Sequence, residues 1–106
     1  MSPRRRPGRP ALISRADVVR TACAIADASG ISAVSMRAVG MELGVAPMGL
    51  YRHIADKEAL LEAMVELVAA EYDLDTLPGT WREALVELAR QQKSIIERHP
   101  WLPELT

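Results

Sequence analysis

The sequence predicts an all-α chain, and three observations carry that expectation. The apolar share is 49% of 106 residues, supplied almost wholly by Ala, Leu, Ile, Val and Met, with no Phe. Ala, Leu and Met are strong helix formers. No alternation of apolar and polar residues runs long enough for a half-buried strand. Helix start signals recur at Ser14, Ser35, Asp56 and Thr80, and stop signals at Gly30, Gly44 and His99-Pro100.

Each element follows in order. Residues 1–10 hold three prolines, a glycine and four arginines. That composition cannot bury a core, so 1–11 is expected to be a flexible basic arm. Ser14 opens a first helix over 15–29, with Asp17 three residues on completing a capping-box pair. Val18, Ala22, Ile25 and Ala26 form its apolar stripe, and Gly30 stands where a left-handed residue ends a helix. Ile31 and Val34 are expected to be buried in the connection. Ser35 caps a short second helix, 36–43, with Met36, Val39 and Leu43 inward. Gly44 breaks the chain. Pro47 suits the first turn of a third helix, 47–53, where a missing N–H costs nothing. Asp56 caps a fourth helix, 57–72, striped by Leu60, Leu61, Met64, Leu67 and Val68. A linker containing Pro78 and Gly79 follows. Thr80 and Glu83 form a second capping box, and a fifth helix presents Trp81, Leu85, Leu88 and Ile95 until His99-Pro100 stops it. No internal repeat is visible.

The net charge of −1 conceals a split. Residues 1–53 carry eight arginines against Asp17, Asp27 and Glu42, a balance of +5. Residues 54–106 carry five basic and eleven acidic side chains, a balance of −6. Such a split suits a face for a polyanion beside a region with another task, or a basic tail on an ordinary domain. Cys23 is the only cysteine. It allows no internal disulfide, fits a reducing compartment, and sits in an apolar stretch as a small hydrophobe. His53 and His99 lack metal-ligand spacing and have no acidic or thiol partner nearby in sequence. No metal or cofactor is expected. The basic N-terminus is not followed by an apolar run of signal-peptide length, and no segment reaches membrane-spanning length, so a cytoplasmic protein is expected.

Ser35 to Ile54 fits the demands of a helix-turn-helix. Two helices crossing through a tight turn need a small residue inside the first, and Gly40 is there. A mid-helix Gly costs about 1 kcal/mol relative to Ala, a cost that close packing explains. Gly44 supplies the positive φ of the turn. Val39, Leu43, Val45 and Leu50 close a small core. The alternative is a helical hairpin in a bundle. The remaining surface of the third helix favours DNA, because Pro47, Met48, Gly49, Tyr51, Arg52 and His53 lack the Glu/Lys pairing of a solvated face. Tyr and His donate to phosphate oxygens, while small or thioether side chains approach base edges. Arg37 is placed for a guanine or a phosphate, and Lys57 for a phosphate at a helix start. Arg5, Arg6 and Arg9 in the extended arm suit a minor groove. Gly8-Arg9-Pro10 matches part of an AT-hook, with Pro7 where an arginine is expected.

The run from Ser35 to Leu61, above all Leu-Tyr-Arg-His-Ile-x-Asp-Lys-x-x-Leu-Leu, resembles the DNA-binding domain of the TetR (tetracycline-repressor) family over about residues 12–72. The resemblance implies a three-helix DNA-binding domain, then a linking helix and a larger helical C-terminal domain. It implies a homodimeric bacterial repressor that a small molecule releases from an inverted-repeat operator. Residue by residue, it makes Arg37, Pro47, Met48 and Gly49 the base-reading surface, Tyr51, His53 and Lys57 the phosphate clamps, and leaves Arg52 beside them. Ala46 departs from the family's frequent capping Ser or Thr. Residues 73–106 match only the opening of the C-terminal domain, so a fragment or truncated product is expected, in which Trp81, Leu85, Leu88 and Ile95 have too few partners. Two other classes fit the sequence less well. A protein-interaction module built on the fourth and fifth helices leaves Gly40, Gly44 and the arm unexplained. An enzyme lacks an activated nucleophile, an acid–base pair, a metal set and a phosphate loop.

Overall fold

The computed structural model describes residues 13–105. The expected basic arm, with Arg5, Arg6 and Arg9, lies outside the described residues. Five α-helices run in order: α1 (Arg15–Ser29), α2 (Met36–Leu43), α3 (Pro47–Leu50), α4 (Lys57–Ala69) and α5 (Trp81–Arg98). Short 3-10 turns cover Ile31–Ala33 and Leu102–Leu105, and there is no strand among the described residues.

Local chemistry fixes most of the boundaries. Ser14 and Asp17 exchange the two hydrogen bonds of a capping box at 3.1 and 3.0 Å. Ser35 Oγ accepts from the Ala38 N–H at 2.9 Å, Asp56 Oδ1 from Ala59 at 2.8 Å, and Thr80 Oγ1 from Glu83 at 3.2 Å. Each satisfies a backbone donor that the first helical turn leaves without a partner. Gly30 stops α1 at φ 90° and ψ 163°, a glycine conformation but not the left-handed helical one expected. Two helices end earlier than their composition suggests. α4 gives way after Ala69 to tighter turns, with Glu71 N–H on Val68 O and Tyr72 N–H on Ala69 O.

One apolar core unites the helices. Val18, Val19, Ala22, Cys23 and Ala26 of α1 pack with Val34, Met36, Val39, Leu50 and Ile54, and with Leu60, Ala63, Met64 and Val68 of α4. Ile95 and Trp101 belong to the same core, with Leu102 and Leu105 packed against it. This corrects the expectation for Ile95, which is buried where α5 leans back onto the head. Trp81, Leu85 and Val86 on the first half of α5 are exposed, as expected for Trp81 and Leu85, and Leu88 is half-buried. The domain division at residue 72 therefore does not divide the packing: the end of α5 completes the core that α1 and α4 begin.

Cys23 is buried in that core, and burial, with Asp27 and Glu71 nearby, pushes its thiol up to about 11. Thiolate is the reactive form. A disulfide reagent at pH 8 is expected to leave Cys23 untouched until denaturant is added; rapid labelling of the folded chain would contradict this placement.

Candidate nucleic-acid interface

The close crossing of α2 and α3 rests on one carbonyl and one missing side chain. Gly40 O accepts from both the Gly44 N–H and the Val45 N–H, the latter at 2.9 Å. Gly44 adopts φ 75° and ψ 30°, the left-handed helical conformation that only glycine enters freely. That closure brings the Val45 carbonyl over Gly40, where a Cβ would stand 2.7 Å from the oxygen. A Cβ there would also meet Pro47 N at 3.6 Å and a Leu50 methyl at 3.7 Å. The turn is therefore specific to glycine at both positions, for conformation at Gly44 and for space at Gly40.

α3 is a single turn that presents its outer face. Pro47 occupies the first turn, and Ala46 gives no side-chain cap. Leu50 is fully buried and Ile54 nearly so, and together they pin the segment to the core. Leu50 O receives both the His53 N–H at 2.8 Å and the Ile54 N–H at 3.0 Å. The chain therefore tightens after Leu50, and residues 51–53 form a turn rather than the rest of a helix running to 53.

The sequence-predicted residues fall as follows. Pro47, Met48, Tyr51 and Arg52 are exposed, and Gly49 and His53 are half-buried. Met48 is 80% exposed, an unusual display for a long apolar side chain without a partner. These six residues share the α3 turn. Arg37 is exposed on the first turn of α2, which packs on α3, and Lys57 is exposed at the first position of α4. Residues 43–55 carry no acidic side chain.

Four of the described arginines and lysines are held in ion pairs. Arg20 pairs with Asp17, Arg90 with Glu87, Lys93 with Glu97 and Arg98 with Glu71. The side chains of Arg37, Arg52 and Lys57 make no ion pair with another described residue. A cation with no internal partner keeps its donors available to a polyanion. No group of His, Cys, Asp and Glu fit to hold a metal ion occurs among the described residues, and none of their helices is long and apolar enough to cross a membrane.

Comparison with known proteins gives this geometry a context. Residues 18–64 match the family described as bacterial regulatory proteins, tetR family. The chain is 44% identical over 87 residues to the HTH-type transcriptional repressor DrrR1 of Streptomyces coeruleorubidus, covering 80% of this chain and 32% of that protein. Among solved structures it resembles the TetR family protein ActR of Streptomyces coelicolor in complex with (S)-DNPA. The TM-score is 0.83 at 30% identity, over 92% of this chain and 48% of that one. It also resembles BioQ, a protein of Mycobacterium smegmatis, bound to its natural double-stranded DNA operator. There the TM-score is 0.73 at 34% identity, over 83% of this chain and 52% of that one. The chain thus spans about a third of DrrR1 and about half of the two solved chains. The match runs from within α1 to beyond the middle of α4 in the family description and extends along most of the chain in the solved structures. Over residues 18–64 the chain carries the DNA-binding part of the TetR family of bacterial regulatory proteins.

Proposed function

We propose that this chain reads double-stranded DNA as part of a sequence-specific, ligand-responsive transcriptional repressor, which acts as a homodimer on an inverted-repeat operator. The observation that carries the reading is the one-turn α3, exposed and free of acidic residues, with the unpaired Arg37, Arg52 and Lys57 around it. Arg37, Pro47, Met48 and Gly49 take the base edges. Tyr51, His53 and Lys57 take phosphates, with Arg52 as a further cation beside them. Arg5, Arg6 and Arg9 follow the minor groove. The domain arrangement is an arm over 1–11, a DNA-binding domain over 12–72 and an effector-binding side that opens with 73–106. DrrR1 carries the name of a repressor, BioQ is bound to its operator, and ActR is described in complex with actinorhodin. These relatives support DNA as one partner and a small molecule as the other. The reading makes the protein a regulator rather than an enzyme, and one that works in the cytoplasm beside the chromosome.

A gel shift across a pool of genomic duplex fragments tests the reading. Binding is expected to fall steeply with salt, since each phosphate neutralised contributes about 0.9 to the slope of log K against log salt. Lys57→Ala should lower that slope by about one while weakening all sequences alike. Arg37→Ala should cost about 1–3 kcal/mol and relax preference at one base position. The absence of any salt-sensitive shift with the whole pool would overturn the proposal. A bound partner that is retained when Arg37 and Tyr51 are both replaced would favour a protein-interaction module instead. For the dimer, half-sites about 34–36 Å apart are expected.

A further inference from the structure

The turn after α5 builds a charge cluster that the DNA-reading face does not use. His99 is 11% exposed at its side chain. Its Nδ1 lies 2.7 Å from Asp27 Oδ1 on α1, and its Nε2 lies 2.8 Å from Glu71 Oε2 just beyond α4. Trp101 Nε1–H donates to the same Asp27 oxygen at 2.7 Å, and its ring stands edge-on to His99 at 5.9 Å between centroids. Arg98 Nη2 pairs with the other Glu71 oxygen at 2.7 Å. His99 therefore has acidic partners on two sides, 72 and 28 residues away in sequence, where no spacing pattern around His99 could show them.

We propose that Asp27, His99 and Glu71 form a proton-operated latch that fastens the end of α5 to α1 and to the end of α4. Both ring nitrogens face carboxylate oxygens, and carboxylates only accept. Satisfying both needs two N–H groups, which only the imidazolium has. A neutral ring has one N–H and turns its other lone pair against a carboxylate at under 3 Å, so deprotonation opens one side of the latch. Partial burial alone would lower the His99 pKa, but the hydrogen bonds and charges of Asp27 and Glu71 outweigh it and hold the imidazole above its ordinary 6.5. Arg98 faces the cluster through Glu71, and Cys23 stays an uncharged thiol throughout this range. A raised folded pKa stabilises the closed form fully below pH 6.5, and that stabilisation is lost as pH rises through the folded value.

The latch stands whether or not the chain reads DNA, because it concerns how the helices are held together. Its consequence is mechanical. α1 packs on both α2 and α4. A bridge from Asp27 to the end of α4 fixes the angle between the helix that carries α2 and the one that starts at Lys57. Release at His99 loosens that angle, while Ile95 and Trp101 keep the end of α5 in the core.

Proton NMR of the whole 106-residue chain, with amide hydrogen exchange over the same pH range, tests it. The His99 C2–H resonance is expected to titrate above pH 6.5. After correction for intrinsic rates, protection of the Glu71, Tyr72, His99 and Leu102 amides should fall about tenfold per unit shift in pKa along the same curve. Asp27→Asn should lower the His99 midpoint and move the loss of protection with it. His99→Gln should give weak, pH-independent protection at these amides while the α2–α3 amides are unaffected. A His99 midpoint at or below 6.5, a midpoint unmoved in Asp27→Asn, or amide protection that ignores the titration would each overturn the latch. If His99→Gln does not fold, the wild-type and Asp27→Asn curves decide.

Discussion

Replacing Trp101 with alanine is expected to cost about 3–5 kcal/mol of folding stability, the range for deleting a buried indole. Native domains hold only about 5–15 kcal/mol in total, so the variant should lose a large fraction of its stability. Trp101 is 1% exposed, and among the described residues it is one of the largest side chains wholly removed from solvent. Its removal leaves a void between α1 and the end of α5, which the short 3-10 turn after it cannot fill. It also takes one donor from Asp27, although His99 Nδ1 remains on the same oxygen. Trp101→Phe separates the two effects. It keeps an aromatic ring in the core, drops the Nε1–H, and should cost only part of the full loss. Urea unfolding followed by circular dichroism measures both. Trp81 is 72% exposed, so the fluorescence change on unfolding of the unmutated chain should come mainly from Trp101. A loss below about 1 kcal/mol in Trp101→Ala would show that the chain beyond α5 is not part of the core.

How much of this was legible depends on whether a signal is local. Ser14 with Asp17, Ser35, Thr80 with Glu83, and Gly44 each act within one turn of themselves, and the helices they bound match the sequence expectation at those ends. Gly40 and Gly44 were legible for the same reason: the steric demand of the crossing falls on residues four apart. The ends of α3 and α4 were not legible. Ala69 and Ala70 are strong helix formers, and nothing near them says stop. What competes is the fastening of Glu71 to Arg98 and His99, 27 and 28 residues further on. α3 likewise has no stop residue before His53, and it ends because buried Leu50 and Ile54 draw the chain into a tight turn. The His99 cluster left no trace in sequence, since Asp27, Glu71 and His99 read singly as solvated charges and a lone histidine. The exposed face of α3 was legible by elimination: once Leu50 faces inward, Met48, Tyr51 and Arg52 lie off the apolar stripe.

Gly40→Val is expected to weaken DNA binding by more than its loss of stability explains. The new Cβ alone would lie 2.7 Å from the Val45 carbonyl oxygen, and that oxygen is backbone, held by the turn that Gly44 closes. Relief requires moving α3 away from α2. Overpacking of this kind costs about 1–3 kcal/mol. Alanine at the same position recovers about 1 kcal/mol of helix propensity, so Gly40→Ala should be the milder variant. Valine adds two methyls and recovers less. The displaced α3 carries Met48, Tyr51 and Arg52 with it, so the proposed base and phosphate contacts no longer close together. Affinity should fall at least about tenfold, and the salt slope should flatten as contacts are lost. Gly49→Ala is the counterpart. A Cβ at Gly49 meets nothing within 4 Å, so the free protein should unfold at an unchanged or slightly higher denaturant concentration. Whatever Gly49→Ala costs in binding is then paid at the DNA surface. A Gly40→Val protein that binds normally once its folded fraction is corrected would show that the crossing angle of α2 and α3 does not govern recognition.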